Sequence, residues 1–254
     1  MTILWAPYHL DEYMPDFRPP WRGHAERVVA ELPDADVWTR MAVLHEAVAE
    51  RVADHVRAGR VPTVLSGDCM VALGTAAGLQ RAGMDPSVVW FDAHGDVQTM
   101  ETSASGYAGG IPLRVLAGYR PDPATDRLGL REIPEGRLVL VDGRDLDPPE
   151  AEYLRGSAIR QRAVADVGPE DLPDGPLLLH VDLDVIDPGE VPGMLFPTPG
   201  GPSADAVVGA VGRIRDTGRV AAVSIGCTWR PDRDEDLPGG VRARLLAALV
   251  RGGA

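Results

Sequence analysis

The sequence predicts an α/β protein: a single domain of three layers, with a mainly parallel sheet covered by helices on both faces. Three observations carry that reading. Apolar, β-branched runs such as SVVWFD (87–92) and PLLLHVD (176–182) recur along the 254 residues, and unbroken runs of this kind mark strands buried on both faces. Between them lie stretches with apolar residues at helical spacing, so strands and helices alternate as a parallel sheet requires. The length suits one large domain over 1–254 better than two small ones.

Taken in order, ILWAPY near the start reads as a strand and 37–58 as an amphipathic helix. VPTVLSG (61–67) is a strand that ends in a Ser-Gly-Asp turn. The small-residue stretch 71–83 is a helix stopped by Gly83. Further strands are predicted at 87–94, 137–143, 176–185 and 219–226, and further helices at 148–156, 203–216 and 240–251. The Pro-rich segments 119–124 and 167–175 read as loops. No internal repeat, low-complexity tract or linker interrupts this alternation.

Composition removes several classes of function. A formal charge of −13 argues against a nucleic-acid surface, which needs a basic face. All 25 basic residues are arginines, which excludes Schiff-base chemistry and a Walker-type phosphate lysine. No apolar run approaches the ~20 residues of a membrane span, and the N-terminal MTILWAPYHL lacks the basic and apolar regions of a signal peptide. The expectation is a cytoplasmic protein acting on a small molecule, with no nucleic-acid or membrane partner. In that compartment Cys69 and Cys227 are expected as free or metal-bound thiols.

The polar motifs fall at the carboxyl ends of the predicted strands: SGDC (66–69), DAHGD (92–96), GRD (143–145), DLDVIDP (182–188) and GCTW (226–229). Ligands of parallel α/β sheets bind along that rim. In an extended strand residues two apart share a side, which groups Asp92 with His94 and Asp96, and Asp182 with Asp184. Four carboxylates so close repel one another unless a cation lies between them. Mixed imidazole and carboxylate ligands suit Mn, Fe, Co or Zn better than Ca or Mg.

These motifs, in this order, resemble the ureohydrolase family of arginase, agmatinase and formimidoylglutamase over about residues 60–230. The resemblance implies an arginase-like fold and two manganese ions sharing a bridging hydroxide that attacks a guanidinium or amidine carbon. It places Asp92 and Asp182 on both metals, His94 and Asp184 on one, and Asp96 on the other. His94 and Asp96 are the candidate catalytic residues. Gln98, Ser103, Ser105, Asp147 and Thr228 are candidates for substrate contact. It further implies a homo-oligomer, a trimer or hexamer.

Departures from the pattern narrow the reading. Cys69 stands where the family has a histidine ligand, so Zn2+ or Fe2+ competes with the expected Mn2+. In SIGCTWRP (224–231), Cys227 or Thr228 takes the place of the glutamate that receives the guanidinium. The family's proton-shuttle histidine aligns with Gly109. The cysteine, together with SGYAGG (105–110), is similar to hydrolases of Nω-hydroxy-arginine in antibiotic pathways. The resulting expectation is a metal-dependent hydrolase of a linear, non-peptide C–N bond in a small guanidino or amidino compound; the alternative is a catalytically silent relative that binds a metabolite or partner. His9, Asp11 and Glu12 are expected in a solvated acidic loop, although one of these acids could face a cationic substrate. His180 is expected outside the ligand shell at most, and His24, His45 and His55 on the surface.

Overall fold

Ten strands and six α-helices follow the predicted alternation in the computed structural model, which describes residues 2–17, 25–226 and 241–251. The strands are β1 (Thr2–Ala6), β2 (Tyr8–His9), β3 (Glu12–Tyr13), β4 (Ala25–Arg27), β5 (Pro62–Ser66), β6 (Ser87–Asp92), β7 (Leu138–Asp142), β8 (Arg160–Arg162), β9 (Leu177–Asp182) and β10 (Val220–Gly226). Eight of them pair in the order β4-β1-β5-β10-β9-β6-β7-β8, every pairing parallel. The remaining two, β2 and β3, form a small antiparallel hairpin just beyond β1.

The helices are α1 (Val37–Arg57), α2 (Val71–Arg81), α3 (Pro112–Leu116), α4 (Pro148–Gly156), α5 (Ala204–Arg215) and α6 (Val241–Arg251). Alternation along the strands sorts the core into two layers. On one face Val48 and Val52 of α1, Leu73 and Leu79 of α2 and Leu154 of α4 pack with Val64, Trp90, Leu140 and Leu178. On the other, Val207 and Ile214 of α5 and Leu246 and Leu249 of α6 pack with Leu65, Phe91, Val141 and Leu179. Each such side chain contributes roughly 1.5–3 kcal/mol by leaving water, so both faces hold the sheet.

Helix starts follow their capping residues. Asp36 accepts from Thr39 N–H at 2.9 Å before α1, and Ser203 from Ala206 N–H at 3.2 Å before α5, each satisfying a donor the helix leaves open. What sequence pattern missed is short: the apolar single turn α3 (PLRVL), and the polar β4 (AER), β8 (RQR) and hairpin. Edge strands of this kind carry no apolar alternation.

Two expectations need correction. His45 and His55 lie on α1 but are 4% and 9% exposed, not on the surface. His45 faces the helix-covered core, and His55 Nε2 sits 3.0 Å from Glu26 Oε2. The strands also stop sooner than predicted: β6 ends at Asp92 and β9 at Asp182. In both, the terminal aspartate turns back on the chain, with Asp92 Oδ1 accepting from His94 N–H at 2.8 Å and Asp182 Oδ1 from Asp184 N–H at 2.9 Å. Such Asx turns end a strand. The spacing of two therefore brings the side chains together through a turn and not by extended alternation. Beyond it Asp96 adopts φ +52°, a left-handed conformation that Asp tolerates better than most residues.

Candidate metal centre and cleft

Register explains why the acids meet. Trp90 of β6 pairs with His180 of β9, and His180 with Ser224 of β10. Two residues further along, Asp182 pairs with Gly226, and Asp92 with Asp142 of β7. The sheet thus carries a lower row of Trp90, His180 and Ser224 beneath an upper row that contains Asp92, Asp182 and Gly226. The loop after β5 brings Cys69 over the upper row, where its Sγ lies 2.7 Å from Asp182 Oδ2 and 4.0 Å from Asp92 Oδ2. Gly226 leaves the room for it, because a Cβ there would stand 2.9 Å from Cys69 Sγ.

His94 Nδ1 lies 3.3 Å from Asp92 Oδ1 and 3.2 Å from Asp184 Oδ2. Trp90 Nε1 donates to Asp92 Oδ2 at 3.2 Å, and Ala93 N–H to Asp184 Oδ1 at 3.3 Å. Among the described residues, two groups bring one ligand atom from each member within 4.8 Å of the others: Asp92, His94 and Asp184, and Cys69, Asp92 and His180. Asp92 belongs to both.

The electrostatics are those of crowded, buried acids. Burial and the charges of Asp184 and Asp92 push the Asp182 carboxyl well above its ordinary value, and burial with Asp92 does the same to Asp96. Asp184 is raised to about 6 by burial and by Asp92. Burial also pushes the Cys69 thiol up, helped by the charges of Asp182, Asp96 and Asp92. Burial alone would raise Asp92 as well, but the hydrogen bond and charge of His94 bring it below the ordinary range. His94 is raised to about 12: burial opposes its charge, and the bonds to Asp184 and Asp92 overcome that. Such mutual penalties are relieved by a cation among the carboxylates.

Among the described residues, four buried atoms in this neighbourhood lack a hydrogen-bond partner: Asp96 Oδ2, both ring nitrogens of His180 and Ser224 Oγ. An unpaired buried polar group costs about 1–3 kcal/mol, so this donor set fits a divalent cation better than it fits itself. His180 stacks on Trp90 with centroids 3.7 Å apart, and burial drives its imidazole down to about 3. It is neutral, the form that ligates. It therefore sits closer to the centre than the sequence suggested.

Above the acids opens a cleft lined by all six predicted metal ligands and by Gln98, Ser103, Ser105 and Asp147. Gln98 Nε2 donates to Asp147 Oδ2 at 2.9 Å, so those two act as a unit. Ser103 and Ser105 hydroxyls are 3.4 Å apart. Asp147 is also the N-cap position of α4, and its N–H donates to Glu150 Oε2 at 3.1 Å. Thr228 and Cys227 lie outside the described residues, as does His24. Asp11 is held by Arg40, Nε to Oδ2 2.6 Å, and Glu12 is exposed, but the segment is a hairpin and not a solvated loop, with His9 half-buried.

Sequence reasoning missed Tyr107, Glu150 and Phe196, which also line the cleft. The Tyr107 ring lies over Gly109, where a Cβ would meet its atoms at 2.2–2.4 Å. It packs on Phe196, centroids 5.1 Å apart, and its hydroxyl is 3.2 Å from His9 Nε2. His9 Nδ1 is 3.1 Å from the Gly67 carbonyl. A carbonyl only accepts, so Nδ1 carries the proton and Nε2 accepts from Tyr107. The glycine at 109 is the one signal that space there was taken by a neighbour. Phe196, in the long loop after β9, left none.

Comparison with known proteins agrees with this geometry. The model of the arginase family matches residues 6–251. The arginase of Bacillus caldovelox is 34% identical over 197 residues, covering 70% of this chain and 65% of that protein. That of Brevibacillus brevis is 35% identical over 174 residues, covering 62% and 57%. The matched region thus spans between half and two thirds of these curated relatives. Arginase from Bacillus subtilis superposes with TM-score 0.80 at 24% identity, covering 100% of this chain and 99% of that one. Formimidoylglutamase from the same species gives 0.71 at 17%, covering 99% and 86%. At those identities the superpositions speak for the fold alone.

Proposed function

Because the chain belongs to the arginase family, we propose that it is a metal-dependent hydrolase of a linear, non-peptide C–N bond in a small guanidino or amidino compound. One observation carries the proposal: Asp92, His94, Asp96, Asp182 and Asp184 converge, buried or half-buried, at the floor of a cleft whose walls carry hydroxyl, amide and carboxylate groups. These residues would hold a divalent cation, and the chemistry it would supply there is activation of water at neutral pH and polarisation of the carbon under attack. Manganese fits the carboxylate and imidazole side of the centre.

The chain's own residues would do the rest. Ser103, Ser105 and the Gln98–Asp147 pair bind the amino-acid-like end, which orients the other end toward the acids. Tyr107 stays protonated because burial pushes its hydroxyl up. Its hydroxyl proton would turn from His9 Nε2 to the departing amine as a hydrogen bond and stay on Tyr107, a role for which Gly109 itself has no side chain. Phe196 and the Tyr107 ring narrow the mouth and limit water.

The substrate follows from charge. SIGCTWRP offers no carboxylate to a guanidinium, and Asp11 is engaged by Arg40 and is not free to stand in. Missing one charge-assisted contact costs about 1.5–3 kcal/mol, or one to two orders of magnitude in affinity. Plain arginine and agmatine should therefore turn over poorly, and a less basic, N-hydroxylated or acylated guanidine better. The test is a panel of arginine, agmatine, guanidinobutyrate, formimidoylglutamate and Nω-hydroxy-arginine with the metal-loaded protein, reading urea, formamide or hydroxyurea. Efficient hydrolysis of plain arginine would overturn the substrate assignment. Silence on the whole panel with metal fully bound would favour the metabolite-binding alternative. Within a responsive panel, Tyr107→Phe should lower kcat by about 100-fold and leave metal content unchanged.

A further inference from the structure

We infer that Cys69, Asp92 and His180 form a distinct half of the centre, selective for a thiophilic divalent cation such as Zn2+ or Co2+. The inference rests on the reading of the cleft as a metal centre and deepens it, by making the two halves chemically unequal.

Four observations converge. Ligand atoms of the three side chains lie within 4.8 Å of one another. His180 is 0% exposed, and neither ring nitrogen has a hydrogen-bond partner among the described residues. Its position in the sheet leaves it little else to meet, since Trp90 covers one ring face and its side of the strand leads up to Asp182. Ser224, its register neighbour on β10, also has a buried hydroxyl without a partner. One ring nitrogen is thus available for a cation and the other for a group that fixes the ring, as is usual for ligating histidines. Finally, Gly226 keeps the space beside Cys69 Sγ clear.

The donor types then decide selectivity. Thiolate and imidazole favour Zn2+ and Co2+, whereas the group of Asp92, His94 and Asp184 is mostly oxygen and suits Mn2+. The shared Asp92 joins the halves. A mixed pair of ions follows, with the softer one deeper in the sheet.

The test is a titration of the full chain, stripped by chelator, with Co2+ alone and then with Zn2+ in competition. A sulfur-to-cobalt charge-transfer band in the near ultraviolet is expected, together with visible bands of a low-coordinate ion. Cys69→Ser should abolish the sulfur band. His180→Gln should weaken Co2+ and Zn2+ at this half by more than about 100-fold, beyond the 10–100-fold of a residue that only supports a ligand. His45→Gln, a second buried histidine on α1, should leave both unchanged. Melting of the stripped variants checks folding, and His180→Leu replaces His180→Gln if the latter does not fold. Absence of the sulfur band in the unaltered chain, or wild-type affinity in a folded His180 variant, overturns the assignment. The spectra separate this inference from the proposed function. Intact bands with silence on the substrate panel uphold the site and refute the activity; turnover without the sulfur band does the reverse.

Discussion

His45 and His180 are buried to nearly the same extent, and burial drives both imidazoles down, to about 4 and about 3. Their neighbours differ. His45 lines a small apolar cavity with Trp38, Met41, Met70 and Leu73, whereas His180 stands under Asp92 and Cys69 with both nitrogens unpartnered among the described residues. Burial makes each ring neutral; only the surroundings make one of them a ligand. A histidine's exposure therefore says little about its use until the atoms facing its nitrogens are known.

The largest effect that could break this contrast comes from the acid facing His180. Asp92→Ala removes the one residue common to both ligand groups and should abolish binding of both cations and all turnover, read by metal analysis after dialysis. Retention of one full equivalent would mean that the halves are independent.

A second test uses protons. His45 titrates near 6.5 when unfolded and about 4 when folded, so between those values the unfolded chain binds more protons. Its contribution is complete above about pH 6.5 and is lost as pH falls toward 4, by roughly 3 kcal/mol in all. Denaturant melts across that window should show the decline, and His45→Leu should flatten it. An unchanged slope in the variant would remove His45 from the account.

A smaller effect concerns the unpaired ring. In chelator, His180→Leu should stabilise the chain by about 1–2 kcal/mol, since it exchanges an unsatisfied polar group for an apolar one of similar size. Functional residues often carry such a cost. Destabilisation would mean that His180 has protein partners after all. Smallest of all, His55→Gln removes a partly exposed pair with Glu26 and should cost no more than about 1 kcal/mol in the same melts.

Much of the frame was legible in the sequence, because buried parallel strands and amphipathic helices each leave a periodic trace. The helix at 148–156 was read to the residue, and the six candidate ligands line one cleft. What escaped depended on relations between distant segments. His180 reads as one more residue of an apolar run, and only the register with Trp90 and the arrival of Cys69 from another loop give it its surroundings. His45 fell on an amphipathic helix whose far side, covered by the segment 120–130, could not be foreseen from α1 alone. Tyr107 was hidden because its role is to fill space left by another residue's missing side chain.

The hairpin of β2 and β3 has a consequence for anyone handling the protein. The Tyr8 carbonyl accepts from both Gly67 N–H at 2.9 Å and Ser66 Oγ at 3.1 Å, and Leu10 N–H donates to Asp68 Oδ2 at 2.7 Å. These bonds stitch the hairpin to the loop that presents Cys69, while His9 reaches over to Tyr107. Trimming residues 8–13, or grafting a bulky tag against them, would thus disturb a wall of the cleft itself. Tags and surface attachments belong on the opposite rim, below the amino ends of the strands.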